Sequence, residues 1–269
     1  MTTLPETIQA IQASGLGKRY GRYRRRWALS DCTLALPAGR VAGLVGPNGA
    51  GKTTLLHLAV GLLTPTSGTI RVLGSAPAAG AGQLARVGFV AQDTPVYRGL
   101  SVADHLRVGQ ALNPAWDDGL ARDRVERAGL DPRQRAGRLS GGQRAQLALT
   151  MAVAKRPDLL VLDEPVASLD PLARREFLDT VAEVATARGI TVVLSSHLLS
   201  DLERICDYLV VLVASRVRLA GSVGELLEAR QRRTGTGAGR QVTLEDLVVE
   251  SLSDEAPDPG AFSGPGEPR

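Results

Sequence analysis

Hydrophobic and polar positions follow two patterns along the chain: short unbroken apolar runs and longer stretches with helical spacing. Unbroken apolar runs of about four to eight residues are typical of strands in a parallel sheet that is covered on both faces. Such runs lie at Arg40–Val45, Val87–Val90, Leu159–Leu162, Ile190–Leu194 and Leu209–Val213. A glycine-rich turn and a predicted helix, Thr53–Leu63, follow the first run. The pattern therefore predicts an α/β fold with a mainly parallel sheet.

The pattern changes between Thr94 and Arg156, where helical spacing dominates and β-type sequence is scarce. Short loops are indicated at Asp131-Pro132 and Ala136-Gly137. We predict a helical subdomain over about 94–156, inserted between strands of the sheet. Its predicted helices are Val102–Leu112, Leu120–Ala128 and Gln143–Ala154.

The chain after Glu228 has a different composition. Arg230–Gly239 is rich in Arg, Gly and Thr and predicts a flexible linker, whereas Val242–Leu252 regains apolar spacing and predicts a short helix. Ser253–Arg269 is rich in Pro, Gly and acids, which favours disorder. We therefore expect one domain over 8–228, a linker and helix over 229–252, and a disordered tail over 253–269.

Composition excludes several classes of protein. The 269 residues are 43% hydrophobic and 22% charged, which is ordinary globular usage. Two cysteines, Cys32 and Cys206, make neither a disulfide framework nor a zinc site. No apolar run reaches the ~18 residues of a membrane span, and the first residues lack a secretory signal. We expect a cytoplasmic protein.

The net charge of +4 has two opposing contributions at the ends of the chain. Lys18–Arg26 holds one lysine and five arginines, and Glu245–Arg269 holds seven acids and one arginine. These contributions cancel, so the basic pI of 9.4 says little about a nucleic-acid partner.

A phosphate-binding loop is the strongest motif in the sequence. Gly46–Thr53 reads G-P-N-G-A-G-K-T and fits G-x-x-x-x-G-K-[ST] between a predicted strand and a predicted helix. Its glycines let backbone N–H groups surround a phosphate, and the helix N-terminus adds a positive dipole end. Lys52 can reach the β- and γ-phosphates, Thr53 can ligate Mg²⁺, and Thr54 can bind the α-phosphate.

Two further segments supply the chemistry that this loop lacks. Leu159–Glu164 is a strand with two carboxylates at its C-terminal end. Asp163 could hold Mg²⁺, and Glu164 could orient or deprotonate the attacking water. Leu139–Gln143, with the sequence L-S-G-G-Q, opens a predicted helix with Ser140 as its cap. Its two glycines expose N–H groups, which predicts a second anion site in the same chain.

With these motifs the chain resembles the ATP-binding subunits of ABC transporters from about Leu16 to Glu225, and most closely those of drug and lipid exporters. The motifs come in the family order, and each is matched to a position of this sequence. They are Tyr20 as the adenine-stacking aromatic, Gly46, Pro47, Asn48, Gly49, Ala50, Gly51, Lys52, Thr53 and Thr54 as Walker A, Gln92 as the Q-loop, Ser140, Gly141, Gly142 and Gln143 in the signature, Asp163 and Glu164 in Walker B, Asp170 in the D-loop, and His197 as the switch histidine.

Some positions depart from the family pattern or compete with it. Val166 and Ser168 replace the commoner Thr and Gly after Walker B, and Ser215-Arg216 replaces a turn that usually contains Gly. Tyr23 and Trp27 lie near enough to Tyr20 to compete for the adenine.

The resemblance implies an ABC ATPase core with an N-terminal antiparallel β subdomain and an inserted helical subdomain. It also implies ATP and Mg²⁺ as ligands, with Thr53, Gln92 and Asp163 at the metal and Glu164, His197, Lys52, Gln92 and Asp170 in catalysis. Two ATP-binding subunits, identical or related, would pair head to tail and power a separate integral membrane permease at the inner face of the cell membrane. Leu63–Gly68 and Leu244–Leu247 resemble segments of exporter subunits, so we expect export.

Two other functions stay open from the sequence. Lys18–Arg26 could bind a phosphate backbone, as expected of an ABC ATPase that acts on ribosomes or DNA, although we expect no nucleic acid. A phosphate-loop kinase would leave Leu139–Gln143 without a role.

Overall fold

The computed structural model describes residues 8–21, 26–94, 96–234 and 242–253. The strands in these ranges are β1 Gln9–Tyr20, β2 Arg26–Pro37, β3 Val41–Val45, β4 Ser67–Val72, β5 Val87–Val90, β6 Leu159–Leu162, β7 Thr191–Ser195, β8 Tyr208–Val213 and β9 Arg216–Ser222. The helices are α1 Lys52–Ala59, α2 Ala81–Ala85, α3 Val102–Leu112, α4 Asp118–Arg127, α5 Gly141–Ala154, α6 Pro171–Arg188, α7 Leu199–Ile205, α8 Val223–Thr234 and α9 Leu244–Ser253.

The central sheet carries its strands in the order β5-β6-β7-β3-β8-β9. The pairs from β5 to β8 are parallel and β9 is antiparallel to β8, so the expected mainly parallel sheet is confirmed. Alternate residues of β6 enter different cores: Leu160 and Leu162 pack with α5 and α6, whereas Leu159 and Val161 face the side that holds α1. Burial on both faces explains why the sequence shows an unbroken apolar run.

A second sheet in the described residues has the order β2-β1-β4 and is antiparallel. This is the N-terminal β subdomain that the resemblance implies. Ile11, Leu16 and Leu29 bury its inner face against Leu55 and Leu58 of α1. The sheet therefore holds the end of the β1-β2 pair beside the N-terminus of α1.

The helical subdomain has a core of its own, which includes Leu106, Val125 and Leu147. Helix α3 has the predicted bounds because Ser101 and Asp104 form a capping box at its start. Helix α4 begins at Asp118, two residues before its predicted start, because the Asp117 side chain accepts from the Leu120 N–H. A single 3₁₀ turn, Ala136–Arg138, occupies one of the predicted loops.

Several elements differ from the sequence expectations. Helix α6 was not predicted, although Asp170 caps it, Pro171 is its first residue and Gly189 ends it at φ 59°. Helix α1 ends at Ala59 and not at Leu63, because Gly61 adopts φ 78°.

The predicted linker after Glu228 is wrong in its first part, because helix α8 continues to Thr234. Arg230 of α8 forms an ion pair of 2.7 Å with Glu250 of α9, which ties the two helices together. Helix α9 is close to the predicted helix over 242–252. Residues 235–241 and the predicted disordered tail beyond Ser253 lie outside the described residues, so the domain bounds stay a prediction.

The turn between β8 and β9 forms without glycine. Ala214 and Ser215 take φ 44° and φ 69°, values that glycine usually supplies. The Ser215 hydroxyl donates to Trp27 O, and its carbonyl accepts from the Ser30 N–H at 2.7 Å. These bonds to β2 compensate the backbone strain. Among the described residues, no helix combines the length and the apolar character that a membrane crossing requires.

Candidate active site

The phosphate loop joins β3 to α1, as the sequence predicts, and its glycines are required by close backbone contacts. A Cβ on Gly46 would stand 2.1 Å from Leu212 O, and one on Gly51 would stand 2.3 Å from Ala28 O. Gly51 also has φ 107° at the N-cap of α1. Side chains at these positions would push the loop away from β2 and β8, so the glycines set the loop's position as well as its curvature.

Lys52 begins helix α1 and is almost fully buried, with 5% of its side chain exposed. Its ammonium donates to Gly46 O at 2.8 Å and to Pro47 O at 3.3 Å, across its own loop. It also lies 3.8 Å from Oε1 of Glu164. The loop thus holds a positive charge at its centre, where the phosphates of a nucleotide are expected to lie.

Asp163 follows β6 and is buried, with 1% exposure. Its Oδ1 accepts from the Thr53 hydroxyl at 3.3 Å and from the Ser195 hydroxyl at 2.8 Å. Sequence reasoning missed Ser195, which ends β7 beside β6 and also accepts the Glu164 N–H at 2.8 Å. The available signal was a hydroxyl at the end of an apolar strand, two residues before His197. Ser195 therefore orients both acidic residues of the site.

Glu164 takes a left-handed backbone conformation, φ 43°, which is uncommon for a residue with a side chain. The hydrogen bond from its N–H to Ser195 stabilises that conformation. Its carboxylate lies between the side chains of Lys52 and His197, with Oε1 near the Lys52 ammonium and Oε2 3.7 Å from Nδ1 of His197. The carboxylate is 15% exposed and the imidazole 47% exposed, so both groups can reach a bound ligand.

A cleft of about 540 Å³ is lined by Lys52 and Glu164, whereas Asp163 and His197 are not among its lining residues. Its lining contains the predicted stacking aromatic, loop residues and side chains predicted to act in catalysis, namely Tyr20, Arg26, Ala28, Asn48, Gly49, Gly51, Lys52, Thr53, Thr54, Gln92 and Glu164. Trp27 is absent from this lining and instead packs its ring 5.2 Å from the guanidinium of Arg19. Tyr23 lies outside the described residues. The structure thus favours Tyr20 over Trp27 as the aromatic that meets a base.

The donor set at the base of the cleft fits a magnesium ion that is held partly by phosphate. Thr53 Oγ1 and Asp163 Oδ1 are oxygen atoms only 3.3 Å apart that would serve as ligands, and Thr53 and Gln92 both line the cleft. Within the described residues no group of three or more His, Cys, Asp or Glu side chains could enclose a metal. Mg²⁺ usually takes one or two protein ligands plus substrate phosphates and water, so this sparse set suits it.

The signature residues Leu139–Gln143 lie at the start of α5, away from the first cleft. The Ser140 hydroxyl accepts from the Gln143 N–H at 3.2 Å, and Gln143 Oε1 accepts from the Ser140 N–H at 3.0 Å. The predicted cap at Ser140 is thereby confirmed. Ser140, Gly142 and Gln143 line another cleft, of about 600 Å³, which shares no lining residue with the first.

The two signature glycines differ in their surroundings. A Cβ on Gly142 would stand 2.9 Å from the Ala173 Cβ, so the close contact of α5 with α6 requires glycine there. A Cβ on Gly141 would have no neighbour nearer than 3.8 Å. Packing within the chain therefore accounts for Gly142 and leaves Gly141 open to a ligand or a partner.

Asp170 is the predicted site residue with the clearest structural role. Its Oδ1 accepts the N–H groups of Leu172 and Ala173, so it caps α6 and does not line the first cleft. The side chain of Ala50 is also directed away from that cleft, because it is 4% exposed and packs in the core.

Fold and site together define a phosphate-loop ATPase with a mainly parallel sheet. The sequence model of the ABC transporter family matches residues 29–167. A phosphonates import ATP-binding protein of Thiobacillus denitrificans is 34% identical over 234 residues, covering 81% of this chain and 90% of the relative. An aliphatic sulfonates import ATP-binding protein of Shigella flexneri is 36% identical over 234 residues, covering 86% of each. The chain belongs to the ABC transporter family, as an ATP-binding subunit that hydrolyses ATP.

Solved structures agree with this assignment. A structure described as the ATP-binding subunit of an ABC transporter superposes with a TM-score of 0.76 at 27% identity, covering 90% of this chain and 99% of that one. The ATP-binding cassette MJ0796, bound to ADP and phosphate, superposes with a TM-score of 0.71 at 20% identity, covering 79% and 98%. The second likeness confirms the ABC ATPase fold.

Proposed function

We propose that this subunit works as one half of a head-to-tail pair, which hydrolyses ATP to drive transport through a separate integral membrane permease. The observation that carries the proposal is the separation of the phosphate-loop cleft from the signature cleft in one chain. Each cleft holds backbone N–H groups at a helix start, and neither has both sets. A second ATP-binding subunit would cover the nucleotide on Lys52 with its own Ser140 and Gly141.

In this proposal the residues around the first cleft divide the work of binding ATP. The loop Gly46–Thr54 holds the phosphates, and Tyr20 stacks on the adenine. Thr53, Asp163 and Gln92 hold Mg²⁺, which neutralises charge on the β- and γ-phosphates when it is bound. Ser140, Gly141, Gly142 and Gln143 contact the nucleotide of the partner subunit, and Asp170 acts at the same interface.

Hydrolysis follows from the position of Glu164. Its carboxylate accepts a proton from water while the water oxygen bonds to the γ-phosphorus, and the bond from that phosphorus to the bridging oxygen breaks to leave ADP and phosphate. His197, whose Nδ1 lies 3.7 Å from Oε2 of Glu164, contacts the γ-phosphate in this proposal. Lys52 balances the charge that develops on the phosphates.

The permease partner and the direction of transport are inferred from the relatives and from short sequence segments. The relatives named above are import ATP-binding proteins, which supports a permease partner. The proposed place at the inner face of the membrane follows from that partner. The helical subdomain, 94–156, is the proposed docking region. The expectation of export rests only on Leu63–Gly68 and Leu244–Leu247. Because those relatives are named as import proteins, the comparisons do not support export and the proposal is confined to transport.

The substitution Glu164→Gln tests the paired mechanism. It removes the proton acceptor and keeps the shape of the side chain, so the variant should bind Mg-ATP and lose at least about 100-fold in hydrolysis rate. With hydrolysis blocked, the dimer should accumulate and be visible by light scattering behind size-exclusion chromatography.

Lys52→Ala, which should not bind ATP tightly, is the control and should remain monomeric in the same buffer. A Glu164→Gln protein that binds ATP yet stays monomeric at saturating Mg-ATP would contradict pairing by this chain alone. A wild-type protein that fails to bind Mg-ATP would contradict the nucleotide site itself.

A further inference from the structure

The last residue of the basic run, Arg26, lies at the nucleotide cleft. It begins β2 and stands directly opposite Tyr20 of β1 in the antiparallel register. Directly opposed residues of an antiparallel pair present their side chains on the same face of the sheet. Both side chains accordingly line the 540 Å³ cleft.

The guanidinium of Arg26 reaches over the phosphate loop. Its Nη2 atom lies 3.8 Å from the position that a Cβ would take on Gly49. Gly49 has φ 81° and no side chain, so nothing stands between the guanidinium and the space above the loop. A cation at this place is near any phosphate that the loop N–H groups bind.

Arg26 differs from Lys52 in its partners. The Lys52 ammonium is bonded to two loop carbonyl oxygens and lies near Glu164. In the part of the chain that the structure describes, Arg26 has neither an ion pair nor a hydrogen bond from its side chain. Its five N–H donors are therefore available, and a guanidinium can bind two phosphate oxygens at once.

We propose that Arg26 is a second cationic ligand for the phosphate chain of the bound nucleotide, and that it favours nucleoside di- and triphosphates over monophosphates. This inference rests on the nucleotide site of the proposed function. It assigns part of the basic run Lys18–Arg26 to the nucleotide. Tyr20, the cross-strand neighbour, remains the residue for the base.

The test compares Arg26→Gln with Arg19→Gln. Arg19 is on the same strand pair and loses the same charge, but its guanidinium packs on Trp27 and does not line the cleft. Dissociation constants for Mg-ATP, Mg-ADP and AMP are measured by competition with a fluorescent ATP analogue, and circular dichroism checks that each variant folds.

Arg26→Gln should weaken ATP and ADP roughly tenfold at low ionic strength, with a smaller loss for AMP. Added salt should reduce the difference from wild type, because the side chain is exposed. Arg19→Gln should bind as wild type does, and Arg26→Lys should recover part of the affinity.

Two results would overturn the inference. Wild-type affinity for ATP in Arg26→Gln would show that the guanidinium makes no useful contact. An equal loss for AMP and ATP would show that Arg26 acts only on a part that the two nucleotides share, namely the base, the ribose or the α-phosphate. Both differ from a failure of the proposed function, in which the wild-type protein itself would not bind Mg-ATP.

Discussion

Single residues at the cleft have two functions each, one in the fold and one in the proposed chemistry. Ser195 bonds to both Asp163 and Glu164, and Gly46 allows the loop to pass Leu212 O. Substitutions at such positions affect stability and activity together. Side chains that have no part in the proposed chemistry should affect stability alone. The two cysteines are examples.

Burial raises the pKa of both thiols. For Cys206 the main cause is desolvation, and the neighbouring Asp207 adds to it. Cys32 is fully buried, and its thiol donates to Ser215 O at 3.2 Å. Because the unfolded thiol ionises near pH ~8.5 and the folded one only at higher pH, unfolding releases protons above that pH. The free energy of unfolding should therefore fall as the pH rises above about 8.5.

Urea unfolding of wild type and Cys206→Ser at pH 8 and pH 10 measures this effect. The serine variant lacks a titrating group at this position, so its loss of stability between the two pH values should be smaller than that of wild type. Equal losses would mean that the Cys206 thiol ionises as easily in the folded protein as in the unfolded chain.

At the scale of elements, helices α3 and α5 both begin with a capping box, but in different surroundings. Ser101 with Asp104 caps α3, and Ser140 with Gln143 caps α5. Ser140 is exposed at the second cleft, whereas Ser101 is half-buried in the helical subdomain and lines neither of the two clefts. A comparison of these two caps therefore separates the effect of a cap on stability from a role in the reaction.

Ser101→Ala and Ser140→Ala should each lower the free energy of unfolding by about 1 kcal/mol, since each removes one N-cap bond. Only Ser140→Ala should also lower the rate of ATP hydrolysis at saturating ATP. Equal ATPase rates in the two variants would remove Ser140 from the proposed interface. Chemical denaturation and a phosphate-release assay provide the two measurements.

At the scale of the whole molecule, the arrangement of the two clefts makes a prediction about mixtures. If Lys52 of one subunit acts with Gly141 of the other, two inactive variants can complement each other in a mixed dimer. Gly141 is the suitable signature position, because a new side chain there meets nothing nearer than 3.8 Å. Gly141→Asp places a negative charge where a γ-phosphate is proposed to bind.

Lys52→Ala and Gly141→Asp should each hydrolyse ATP far more slowly than wild type. A mixture of the two should be more active than either alone, because the mixed dimer contains one site with an intact loop and an intact signature. Two samples of the same variant, mixed in the same way, give the baseline ATPase activity. Activity of the mixture no higher than that baseline would contradict head-to-tail pairing.

Much of the fold was predictable because its signals are local. Strands such as Val87–Val90 and Leu159–Leu162 appear at their predicted bounds, since burial on both faces requires continuous apolar residues. Helix α6 was missed although Asp170-Pro171 is a strong start signal, because its buried residues are spread over a long, largely polar sequence. Helix α8 was missed because its arginines resemble a linker composition.

The sequence by itself determined the phosphate loop, the carboxylates after β6 and the signature, because each of these depends on residue types at short spacing. The tertiary structure alone decided how they meet. Strand β7 lies between β3 and β6 in the sheet, so Ser195 reaches Asp163 and Glu164 from a strand 31 residues away from Glu164. Antiparallel pairing of β1 with β2 likewise brings Arg26 over Gly49. Such contacts join residues that are distant in sequence, and only the packing of the sheets sets their distances.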